Sequence, residues 1–376
     1  MTFQQAPETG ANTSYVPVPV QQRGMPWRRI GRSAWRIAVP VAIALLVGAV
    51  ALLIGGESPV EIYGMLAQEA FGDAARINAT LTAATPLLFT GLAAAIAFRA
   101  GVFNVGVEGS FAFAGLAASV VGAGMTDAPP AVAIAACLVA GGLAGALVAL
   151  IPAALRTWLG VDEVVSTLMF NFIVAGVTAW LVQSFFLAPG QANSATAYIA
   201  TPAELPLLAP PGQLSAGFLI AIALVIVYAV WTRRTQLGFE FDAVGRTPRF
   251  SAAQGLRVRP VLMTAMLASG AIGGIGGAVH TLGLVHRFSV GFSANFGFTG
   301  IAIALLARFN PIGIVIGAVA FGALAAAGAT VQLFVNIPIQ LIDILQGAVM
   351  MLAVAQFAIP RLRRRRRSAE NTEASA

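Results

Sequence analysis

Apolar residues run through this chain in blocks of about twenty, parted by short polar or glycine-rich stretches. Ten blocks can be traced, at 37–54, 79–98, 103–124, 128–152, 164–187, 214–231, 261–284, 295–307, 311–335 and 338–359. Their length suits helices crossing a hydrocarbon core of ~30 Å rather than barrel strands of ~10 residues. Two depart from the pattern: 295–307 is short, and 103–124 is interrupted by Glu108. The pattern predicts an all-α integral membrane protein with about ten transmembrane helices.

The polar stretches orient these spans. Residues 1–22 are rich in Pro, Gln and Thr, and Arg23, Arg28, Arg29, Arg32 and Arg36 then precede the first block. This resembles the start of a secretion signal, but no small-residue cleavage site closes the block, so a retained helix is expected. Arginine on the cytoplasmic side places that end inside, and Arg361 with Arg363–Arg367 places the other end inside too. An even number of spans satisfies both. The 55–78 and 188–213 stretches then fall outside as loops, and 232–260, with six arginines, falls inside. Arg287 is the weakest fit. The expected organisation is a cytoplasmic basic tail (1–36), a membrane domain (37–360) and a second basic tail (361–376).

Composition narrows the chemistry. Hydrophobic residues make up 58% and charged residues 10% of the 376 positions, whereas a soluble domain has ~25% charged residues. All 22 basic residues are arginine. A P-loop needs a lysine to reach the phosphates, so this chain is not itself a P-loop ATPase. Cys137 stands alone, and His280 and His286 flank the end of one span, where interfacial structural roles are expected of them. No metal or cofactor set is expected in the chain, and the arginines sit beside spans rather than in a nucleic-acid patch.

Polar residues at membrane depth are expensive and rarely idle. Phe98-Arg-Ala-Gly-Val-Phe-Asn-Val-Gly-Val-Glu-Gly109 carries an arginine, an asparagine and a glutamate among glycines, and reads as the entry to a broken helix. Asn104-Val-Gly106-Val-Glu-Gly109 is echoed by Asn295-Phe-Gly297-Phe-Thr-Gly300. The echo suggests two halves of inverted topology, about 79–187 and 261–359, with broken helices near the midplane. Asp162 and Glu163 open a helix, as caps or as functional groups. Asn171, deeper on it, serves either a helix–helix hydrogen bond or a pore lining. In 232–260, Thr247-Pro248 starts a short helix through Gln254 that Gly255 stops; it is a docking element or a basic loop held on lipid. Asp343 snorkels or faces the bundle interior.

Four blocks together carry a family resemblance: Ala97–Gly109, Gly160–Asn171, Thr235–Gly245 and Gly297–Pro311. The chain resembles permease subunits of bacterial ABC importers for nucleosides and simple sugars, in the broad group that also serves ribose and branched-chain amino acids. The nucleoside branch is the closer match. The resemblance implies a complex in the inner membrane with a second permease, an ATP-binding subunit holding ATP and Mg, and an extracytoplasmic solute-binding lipoprotein. It implies that this chain does no covalent chemistry. For a nucleoside, Asn104, Asn171 and Asn295 would offer amides along the path and Phe103, Phe292 and Phe298 stacking faces. Glu108 would accept from ribose hydroxyls or pin the broken helix. Asp242, Gly245, Pro248, Phe250 and Gln254 would meet the ATPase, with a positive φ expected at Gly245. Ser110 and Asp242 depart from the family pattern. The rival reading is an ion-coupled secondary transporter using Glu108 and Asp343.

Overall fold

The computed structural model describes residues 58–190 and 194–334, with isolated positions near residue 50 and at 347 and 351. The expected spans at 37–54 and 338–359, Asp343 and both basic tails lie outside the described stretches.

The chain is mostly helical. In order come α1 (Pro59–Phe71), α2 (Ala74–Arg99), α3 (Val107–Ala123), α4 (Pro130–Leu159), α5 (Glu163–Leu181), α6 (Gly217–Arg234), α7 (Gln236–Arg246), α8 (Pro248–Ala253), α9 (Val258–His280), α10 (Phe296–Leu306) and α11 (Pro311–Phe334). A π-helical turn prolongs α5 through Phe186 and another prolongs α9 through Val285. No strand forms among the described residues, where two isolated bridges pair Ala195 with Ser289 and Leu207 with Ser215. Among the described residues six helices are long and apolar enough to cross a membrane, while α3 and α10 are apolar but short. Each expected apolar block between 79 and 335 therefore meets a helix.

Three expectations need correction. The 55–78 stretch is not a loop: Pro59 opens α1, and Asp73 caps α2 by accepting from Arg76 N at 2.8 Å. The 232–260 stretch holds two helices, not one. Thr235 Oγ1 accepts from Gly238 N at 3.1 Å and so caps α7, whose Gly238, Phe241 and Val244 turn inward at helical spacing. His280 is not interfacial, because the π turn carries α9 past it and buries it.

Burial decides which helix is central. The apolar stretch of α2 is 83% buried, against 17% for α5 with its π turn. Small residues let backbones approach where no water-driven force assists packing. On α4 and α9, Gly141, Gly145, Gly270 and Gly274 face one another, and a Cβ on Gly145 would lie 2.7 Å from Gly274 Cα. Leu143, Leu147, Phe172 and Trp180 are left on the outward faces of α4 and α5, as a lipid-facing surface requires.

Candidate functional site

The site is built where two short helices begin. Between α2 and α3 the chain leaves helical geometry at Ala100–Gly106, with Gly101 at φ +81°. An unwound backbone inside an apolar bundle must find partners for its polar groups. The α5 face supplies them. Thr167 Oγ1 accepts from Val105 N at 3.2 Å. Asn171 Nδ2 donates to the Val105 carbonyl at 3.1 Å, and Asn171 Oδ1 accepts from Gly109 N at 3.0 Å. Asn104 closes the turn itself, its Oδ1 accepting from Gly106 N at 2.9 Å while its Nδ2 donates to Ser269 Oγ at 3.0 Å. Every atom of both amides with hydrogen-bonding capacity is thus engaged at least once, and Asn104 is buried.

The second start is built differently. Ala294 and Asn295 stand at φ +37° and +63°, and α10 opens at Phe296 with no side-chain cap. Its first turn would leave N–H groups orphaned. Glu108, in the first turn of α3, reaches across and accepts from Gly297 N at 2.6 Å and from the Ser293 hydroxyl. The carboxylate therefore sits between two helix N-termini, each with roughly +0.5 charge from its aligned peptide dipoles. Two positive ends in contact would repel, and one negative charge offsets both. Gly297 permits the approach, because a Cβ there would lie 2.6 Å from Glu108 Cα.

Two cavities flank the Ala294 turn. One, of about 360 Å³, is lined by Glu108, Thr178, Phe288, Phe292, Ser293 and Asn295. The other, of about 370 Å³, lies against Thr82, Pro86, His280, Phe296, Thr299 and Phe321. Between them Phe111, His280, Phe292 and Phe296 pack ring against ring, with centroids 5.0 Å apart for His280 and Phe292 and 5.6 Å for Phe111 and Phe296.

A third feature ties the α7–α8 hairpin to this machinery. Arg99 Nε lies 2.7 Å from Asp242 Oδ1, and Arg246 NH2 donates to Asp242 Oδ2 at 3.2 Å. Beside them Gly101 and Gly245 meet, such that a Cβ on Gly101 would lie 2.9 Å from Gly245 Cα. Gly245 is helical, not at positive φ. It is required because a Cβ there would strike the Arg99 carbonyl. Pro248, Phe250 and Gln254 are exposed, and Gly255 at φ +85° ends the hairpin.

The seven residues read as a path are thus divided. Glu108, Phe292 and Asn295 share the first cavity. Asn104 and Asn171 brace the broken backbone and line neither cavity. Phe103 stacks on Phe98 at 4.3 Å, on the Arg99 side of the bundle, and Phe298 packs into the main core. Sequence reasoning missed Thr167, Ser269 and Ser293, and gave His280 only an interfacial structural role. The first three are single hydroxyls that no spacing marks, whereas His280 was visible as a histidine beside a glycine-rich apolar run.

Comparisons with known proteins agree on one family. Residues 76–354 match the family model described as branched-chain amino acid transport system, permease component. The nucleoside ABC transporter permease protein NupB of Lactococcus lactis is 31% identical, over 85% of this chain and 90% of the relative. The guanosine ABC transporter permease protein NupP of Bacillus subtilis is 31% identical, over 85% and 93%. The glucose ABC transporter permease protein of Haloferax volcanii is 30% identical, over 86% and 87%.

Proposed function

The chain belongs to this permease family, and we propose that it is the membrane subunit of an ABC importer that carries nucleosides across the inner membrane. Family members are transport components, not enzymes. Two relatives named for nucleosides or guanosine, each covering most of the chain, support the substrate class. The chemistry of the first cavity agrees with it: a carboxylate and an amide suit ribose hydroxyls, and Phe292 and Phe288 suit a ring face.

The observation that carries the reading is the junction at Glu108. Two half-length helices begin against each other at a shared carboxylate, beside a cavity, inside an apolar bundle. Broken helices meeting near the midplane are where membrane transporters place their substrates. On this reading the Asn104 and Asn295 copies mark two inverted halves within about ten spans, and both termini are cytoplasmic. Arg99, Arg156, Arg233, Arg257 and Arg308 then gather on the cytoplasmic side.

Work enters from that side. An ATP-binding subunit, holding ATP and Mg, seats the exposed Pro248–Gln254 end of the hairpin and moves it. Gly245 against Gly101, and Asp242 against Arg99, pass the displacement to the turn that precedes Asn104. A second permease completes the membrane unit, and a solute-binding lipoprotein delivers substrate from outside.

Reconstitution tests this. With its ATPase and binding protein in liposomes, the chain is expected to accumulate labelled nucleoside on ATP addition, and alone to accumulate none. Uptake by the isolated chain driven by a proton or sodium gradient would overturn the assignment. Transport of glucose or leucine in place of nucleosides would overturn the substrate class.

A further inference from the structure

The Tyr228 hydroxyl is absorbed by nothing said so far. Tyr228 stands on α6 and is 2% exposed. Its hydroxyl donates to the Phe309 carbonyl at 2.9 Å. It also interacts with Arg99 and Asp242, the pair that ties the hairpin to α2. One phenol therefore joins the hairpin to the turn between α10 and α11.

That turn is strained where it is held. The ends of α2 and α10 are closed alike. Val102 N donates to Ala97 O and Phe309 N to Ala304 O, each at 3.1 Å, while Gly101 N donates to Phe98 O and Arg308 N to Leu305 O, each at 3.0 Å. These are the paired bonds of a Schellman end, which needs one left-handed residue. In α2 that residue is Gly101, at φ +81°, which has no Cβ to crowd. In α10 it is Arg308, at φ +50°, and Phe309 follows at φ +62°. Two successive residues with side chains persist in this region only where the surroundings hold them. The Tyr228 bond fixes the Phe309 carbonyl, and the Phe98 ring stands edge-on to Phe309 at 6.0 Å.

We propose that Tyr228 is a positioning residue that carries the hairpin's displacement to the second helix start, in parallel with the Gly245–Gly101 contact that serves the first. α10 is 11 residues long, about 16 Å at 1.5 Å per residue, and so short a helix moves as a rod. One end is the Phe309 turn that Tyr228 holds. The other is the start at Asn295, beside Glu108 and its cavity. A pull on the Phe309 carbonyl therefore arrives at Gly297, against the shared carboxylate. The proposal rests on the importer reading above. It adds that both helix starts, not the first alone, receive the work of ATP.

The test uses the complex reconstituted in liposomes with its ATPase and binding protein. Uptake of labelled adenosine, guanosine and uridine is measured together with ATP hydrolysis in the parent, in Tyr228→Phe and in Tyr228→para-aminophenylalanine. Tyr228→Phe keeps the ring and loses the donor. It is expected to lower the nucleoside moved per ATP hydrolysed about five-fold, the worth of one hydrogen bond, while ATP hydrolysis and the melting temperature of the complex are kept. The amino group of the second variant can still donate to the Phe309 carbonyl, and should restore most of that ratio. A tyrosine that only supports the fold would lower the melting temperature and leave the ratio unchanged. An unchanged ratio, or a fall in ATP hydrolysis equal to the fall in uptake, would overturn the role of Tyr228 and leave the importer reading standing. A parent complex that accumulates none of the three nucleosides on ATP addition would overturn both.

Discussion

The two Asn-x-Gly-x-x-Gly copies spell nearly the same text and make opposite structures. At Asn104 the chain is buried, the asparagine caps its own turn, and Thr167, Asn171 and Ser269 brace the backbone. At Asn295 the asparagine is exposed and left-handed, caps nothing, and follows an alanine that is also at positive φ. The first copy holds itself with its own amide and its neighbours' side chains. The second is held largely by one carboxylate from the first. A motif with small residues at fixed spacing thus licenses close approach and a helix start, while the surroundings decide whether that start is braced or free to shift. Local strain that persists beside a cavity is where movement is expected.

The harshest way to break the contrast is to separate the two starts. Gly297→Val places a branched side chain where even a Cβ lies 2.6 Å from Glu108 Cα, against backbone that cannot yield. Overpacking of this kind costs about 3 kcal/mol, and the variant is expected to lose folded material in detergent, read by size-exclusion chromatography. Gly109→Ala meets the Asn171 amide oxygen at 2.8 Å instead, a side chain that can give, and about 1 kcal/mol is expected. Equal damage from the two would remove the distinction between a backbone and a side-chain contact.

Next comes the brace. Asn171→Ala strands the Val105 carbonyl and the Gly109 N–H together. Each unsatisfied buried group costs ~1–3 kcal/mol, so a loss of about 2–6 kcal/mol in thermal unfolding is expected. Asn104→Ala and Asn295→Ala sharpen the comparison directly. Asn104→Ala should destabilise by about 2 kcal/mol, since it frees Gly106 N and Ser269. Asn295→Ala should leave stability within about 1 kcal/mol, the preference for asparagine at positive φ, and should slow nucleoside uptake. A stable Asn104→Ala that transports poorly would return Asn104 to the path.

Much of this was legible in the chain. The apolar blocks located the helices because their length is set by the membrane, not by tertiary context. Asp162 was readable as a cap and does accept from Val164 N and Val165 N. Gly255, at positive φ, follows the end of α8 as its residue type suggests. The failures share a cause. Gly245 was expected to need a positive φ, and needs room for the Arg99 carbonyl instead, a neighbour 146 residues away that no local pattern reveals. α7 was missed because Gly238 and Gly245 lower its helix propensity, and only Trp231, packed at 4.9 Å on Phe241, shows why it folds. Asn104 and Asn295 looked equivalent because spacing carries no information about burial.

The mildest change probes the free start itself. Ala294 holds φ +37°, where a Cβ crowds the following carbonyl and glycine does not. Ala294→Gly removes that strain, worth ~1 kcal/mol, but gives the unfolded chain more freedom to lose, which offsets part of the gain. A net stabilisation of about 0.5 kcal/mol is expected in thermal unfolding. A glycine set into the braced copy, one residue after its asparagine, is Val105→Gly, which has no positive φ to relieve and deletes a buried side chain. It should destabilise by at least ~2 kcal/mol. Opposite signs in the two variants would mean that the strain at Ala294 is imposed by the loop and that the first start is set by its packing. If Ala294→Gly instead lost more than ~1 kcal/mol, the alanine methyl would be holding the turn in place, and the second start would be as firmly built as the first.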